Sequence, residues 1–166
     1  MTAATIFGIM MGLNSLGVLS AGVLSNYFNQ KNVLSTTYAL RGMAYALLLL
    51  VGGVEGMWVF AVVAGVSWIA TASVTSSMTA DIYGVKNLGT LNGMTNMSHQ
   101  IGGALSVLLA GEIHQITGSY TLPFMFAGLT LIGASISAFK VNEKAYSYRY
   151  NPVRIGASGG APSESY

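Results

Sequence analysis

The stretch DIYGVKNLGTLNGMTNMSHQIGGALSVLLAGEIHQITGSY, Asp81 to Tyr120, decides how this chain is read. A short polar loop holding Asp81 and Lys86 leads into an apolar segment of about two dozen residues without a formal charge. A Gly-containing polar turn closes it. At a rise of 1.5 Å per residue such a helix crosses a hydrocarbon core of roughly 30 Å. His99 and Gln100 lie near its middle. An ionisable side chain at that depth is costly, which makes it a functional-site hypothesis by default.

Asn92, Asn96, His99, Gly103 and Ser106 recur at steps of four, three, four and three. Side chains at that spacing form one stripe along a helix, and this stripe is polar or small throughout. Acyl chains reject such a face, so it must meet protein or water. A histidine on an apolar background also reads as a satisfied core residue, and both readings stand at this point.

Composition points to the same solvent. Of 166 residues, 52% are hydrophobic and only 7% charged, with mean hydropathy +0.58. A soluble domain averages about 25% charged residues. The shortfall leaves too little polar surface to clothe a water-soluble globule. The 21 glycines are many, and small residues let membrane helices approach closely. The absence of cysteine removes disulfides and thiolate chemistry. A net charge of +2 is too small to imply a nucleic-acid partner.

Outward from the central stretch, four more apolar segments are expected. Ala3 to Leu24 lacks the charged n-region of a cleaved leader and reads as a span. Gly8, Gly12, Ser15 and Gly22 share one of its faces, as a packing surface would. Asn14 is a candidate cavity-lining or interhelical residue. Ser35 to Val54 is a span only if Arg41 belongs to it, about 9 Å from its start by helical rise. Snorkelling to the interface, pairing with Asp81, or binding an anionic solute would each accommodate that charge. Gly56 to Ala80 carries Ser67, Thr71 and Thr75 every four residues, either bonded to their own helix's carbonyls or forming a polar wall. Leu122 to Phe139 is apolar on all sides and reads as lipid-facing scaffold. The expected fold class is therefore all-α, an integral membrane bundle of about five transmembrane helices over residues 1–140, with a disordered tail over 141–166.

Every lysine and arginine falls in, or close to, the first and third connections or the tail, whereas Glu55 and Glu112 with His114 mark the others. The positive-inside rule then puts the carboxyl end in the cytoplasm of a multi-pass protein of the cell (plasma or inner) membrane. No G-x-S-x-G, phosphate loop, H-E-x-x-H or cysteine pair is present, so neither an enzyme nor a metal or cofactor site is expected.

DIYGVKNLGTLNG, SHQIGGAL and HQITGSYTLPF resemble the region of the tenth to twelfth helices of a bacterial major facilitator superfamily transporter, nearest the monocarboxylate and oxalate/formate carriers. The resemblance covers about Ile6 to Phe139. It implies a partial fold, helices eight to twelve of twelve, whose partner is a missing amino-terminal half. It departs from the family at GVLSNYFNQKN, where Asn26 and Tyr27 stand for an expected Asp and Arg. Asp81 and Lys86 look like the remains of a further family element, and Asp81 with Arg41 is the candidate gating charge pair. The implied activity is alternating-access transport of a small organic anion, with His99 and Gln100 as the solute-facing pair. Asn96, Asn92 and Asn14 would add neutral hydrogen bonds, and Ser67 and Thr71 would line the opposite wall. The alternative is a non-transporting structural or pore-forming membrane subunit.

Overall fold

The computed structural model describes residues 2–143, and these are helical with no strand among them. In chain order the helices are α1 (Thr2–Tyr27), α2 (Gln30–Val51), α3 (Gly53–Ser67), α4 (Ala70–Tyr83), α5 (Leu88–Thr117) and α6 (Thr121–Phe139). Four helical segments are long and apolar enough to cross a membrane: α1, α2, α6, and α3 with α4 taken together as Gly53–Tyr83. The 30-residue α5 reaches about 45 Å by helical rise, but its polar stripe dilutes its hydropathy. Large apolar side chains stand exposed along the bundle, Phe7, Leu16, Leu19, Leu50, Val107 and Phe126 among them. Water would not tolerate so continuous an apolar surface; lipid does.

Small residues set the helix crossings. The buried face of α1 runs Met10, Asn14, Gly17, Ala21, Ser25, the spacing of one helical stripe. A Cβ on Gly17 would sit 1.8 Å from the Val66 carbonyl oxygen, and one on Gly65 would sit 3.0 Å from that of Met10. Backbone therefore lies on backbone where α1 crosses α3. Gly8, Gly12 and Gly22, expected to pack, face open space instead. The α2–α6 contact uses the same device at Gly42 and Gly128. Ser35 and Ser135 each donate to the other's carbonyl at 2.9 Å. So α6 packs one face on α2 and is not purely lipid-facing scaffold.

Several boundaries differ from expectation. Asp81 lies within α4, and Glu112 and His114 lie within α5, because nothing in those stretches interrupts the backbone ladder until Gly84 and Gly118 take positive φ. The stretch expected as one span from Gly56 to Ala80 is interrupted at Trp68 and Ile69. Glu143 lies in the stretch assigned to the tail yet is fully buried. Its two carboxylate oxygens accept from the Gln30 and Lys31 amides at 3.3 and 3.1 Å. These are among the unsatisfied donors at the start of α2, which Asn29 does not cap. The rest of the expected tail, 144–166, lies outside the described residues.

Candidate functional site

Two polar regions interrupt the apolar helices, one deep in the bundle and one beside it. The first is the interruption between α3 and α4. In an unbroken helix the carbonyls of Ser67 and Trp68 would accept from the amides four residues on. Here the Ala72 amide turns to Ile69, three residues back, at 2.9 Å, and the Trp68 amide turns to Gly65 at 3.3 Å. Arg41 supplies what the ladder lacks: its Nη2 donates to the Ser67 and Trp68 carbonyls and, at 3.3 Å, to Thr71 Oγ1. Asn14 serves the other side, its Oδ1 accepting from the Ile69 amide at 2.9 Å. Trp68 presents its ring to the guanidinium, 5.1 Å from the ring centre. Phe60 meets Trp68 edge-on, and Tyr45 meets Phe60 in the same way.

Arg41 is the twelfth residue of α2, about 16 Å from its start. The expected 9 Å was too shallow because α2 begins at Gln30. Its charge is not snorkelling. A cation at a helix centre costs about 3 kcal/mol to insert. Hydrogen bonds from a charged donor contribute about 1.5–3 kcal/mol each, so two carbonyls suffice to offset that cost.

Arg41 and Asp81 do not pair. Asp81 accepts from Gln30 Nε2 at 2.9 Å, and the same amide donates to Ser77 Oγ at 2.8 Å. With Glu143 this forms a second knot, joining the start of α2 to the ends of α4 and α6.

The second polar region is α5, which stands beside the bundle. Every residue from Gly93 to Leu109 is exposed, Asn96, His99 and Gln100 among them, so no helix among the described residues buries them. Asn92 is the stripe member bonded across to a neighbour, its Nδ2 donating to Ser76 Oγ of α4 at 2.8 Å. Ser98 and Ser106 donate to carbonyls four residues back in α5, at 3.0 and 2.7 Å. The expected residues thus divide into two groups. Asn14, Arg41, Ser67 and Thr71 converge at the interruption, while Asn92, Asn96, His99 and Gln100 lie along α5. A cavity of about 310 Å³ between α1 and α2 is lined by Gly17, Leu24, Phe28, Thr37, Leu40 and Ser67 among others, and it is mostly apolar. Among the described residues no cluster of histidine, aspartate and glutamate could hold a metal ion.

Long apolar helices, glycine-mediated crossings, a broken helix and one long helix with a hydrophilic flank describe a bundle built for lipid. The family model for the Major Facilitator Superfamily matches residues 1–154. The chain belongs to that superfamily. Superfamily membership and the apolar helices together make it a multi-pass membrane protein of a transporter family. It is similar to the uncharacterized transporter YybO of Bacillus subtilis (strain 168), 29% identical over 127 residues, which are 70% of this chain and 29% of YybO. It is also similar to SauU of Cupriavidus necator, a probable sulfoacetate transporter, 41% identical over 70 residues, 42% of this chain and 16% of SauU. The chain thus spans less than a third of the relatives it matches. No solved structure matches it.

Sequence reasoning missed the interruption itself. Trp68 and Ile69 keep right-handed helical backbone angles, and no proline or glycine marks the spot. The available signal lay on other helices: Asn14 and Arg41 are polar residues inside apolar spans, and each needs a partner there.

Proposed function

We propose that this chain supplies helices eight to twelve of a secondary transporter for a small organic anion. Alternating access would be completed by an amino-terminal half on another segment. The observation that carries the reading is the uncovered hydrophilic flank of α5. Asn96, His99, Gly103 and Ser106 need a wet, protein-enclosed neighbour, and the five other helices do not provide it. The organic-anion class rests on the resemblance to carboxylate carriers and on SauU, a probable transporter of sulfoacetate, which is a small organic anion. In this reading the protein sits in the cell membrane with its carboxyl end in the cytoplasm, supported by the placement of its lysines and arginines.

The solute-facing set narrows to Asn96, His99 and Gln100, because Asn14, Ser67 and Thr71 already have partners around the interruption and Asn92 has one in Ser76. The imidazole N–H of His99 and the amides of Asn96 and Gln100 can donate hydrogen bonds to an anionic solute. In the complete carrier, His99→Ala should lower uptake of labelled sulfoacetate or lactate. Unchanged uptake removes His99 from the mechanism.

A further inference from the structure

Broken membrane helices commonly gather an inorganic cation on their freed carbonyls, because the carboxyl end of a half-helix carries partial negative charge. In this chain the carbonyls of Ser67 and Trp68 already hold a cation, the guanidinium of Arg41. We infer that Arg41 is a tethered cation that, with Asn14 on the Ile69 amide, fixes the angle between α3 and α4 at the interruption and makes that angle independent of any bound inorganic ion.

Three observations support this. The contacts are complementary: Arg41 takes the freed acceptors and Asn14 takes a freed donor, so both sides of a two-residue gap are satisfied from outside the helix. An unsatisfied backbone group in hydrocarbon is costly, so the interruption and the two side chains require each other. The grip is that of a cap: Nη2 makes all three contacts, and the buried Nε has no hydrogen-bond partner. A carboxylate ligand would instead be expected to engage two parallel N–H groups. Asn14 is buried, and it lies between Met10 and Gly17, where the backbone of α1 closely approaches that of α3.

Arg41 is thus a positioning residue. Its role in transport rests on the carrier reading, but the angle is measurable without transport. The chain contains no cysteine, so paired spin labels can be introduced at Val62 of α3 and Tyr83 of α4, both exposed. Their separation, read by pulsed electron resonance in lipid nanodiscs, reports the angle across the gap. The expected result is a narrow distribution that is the same in sodium and in choline chloride. Arg41→Ala should broaden and shift it, and millimolar guanidinium should restore it while sodium does not. An unchanged distribution in Arg41→Ala, or a broadened one that guanidinium leaves broad, overturns the proposal in favour of a packing role. Sodium dependence of the unsubstituted chain overturns it as well. If Arg41→Ala loses its helicity, Asn14→Ala carries the test: broadening supports the clasp and an unchanged separation refutes it. Loss of uptake by His99→Ala with an unchanged angle, or the reverse, separates failure of this inference from failure of the carrier reading.

Discussion

Gly17 has no room for a side chain. A Cβ there would sit on the Val66 carbonyl, a rigid backbone atom that cannot swing aside. Gly17→Leu should force α1 away from α3 and lower stability by at least the roughly 1–3 kcal/mol typical of overpacking, measured by unfolding in detergent. Gly8→Leu, in open space, should leave it unchanged. Glu143 is tested the same way. Glu143→Ala removes the acceptor from the Gln30 and Lys31 amides and should cost about 1 kcal/mol, as helix caps do. It should also raise amide exchange in the first turn of α2. Glu143→Gln keeps one acceptor and should lose less.

The helices differ in what their residues announce. α1, α2 and α6 are apolar runs, and their existence follows from hydropathy alone. The stripe on α5 is legible because every third or fourth residue is polar or small. Its members' exposure in this chain was not, because exposure depends on what the other helices cover. The interruption at Trp68 was hidden for a different reason. Its cause sits on α1 and α2, and the stretch VSWIAT carries no breaker. Glu143 was misread for the same reason: its partners are more than 110 residues away in sequence. The two sides of α5 should answer differently to charge. Leu108→Arg, opposite the stripe, should reduce membrane-inserted yield, as expected from an insertion cost of about 3 kcal/mol near a helix centre. Ser106→Arg, on the stripe, should be tolerated in the complete carrier.

At the scale of the molecule, the bundle is held by close glycine crossings and by polar knots at Arg41 and Gln30, and α5 stands uncovered beside it. A site that alternates between two faces needs a second wall. The purified chain in liposomes should therefore show no flux of labelled organic anion and no ion leak. A leak would favour a pore. The claim on which the rest depends is that the flank of α5 through Asn96, His99, Gly103 and Ser106 borders water. Single cysteines placed along Leu91 to Leu109 of the complete carrier, in its native membrane, can be challenged with a charged, membrane-impermeant thiol reagent. Labelling at Asn96, His99, Gly103 and Ser106, with protection at Met97, Ile101 and Leu108, is the predicted pattern. Labelling without helical period, or confined to the Ile101 side, would contradict it.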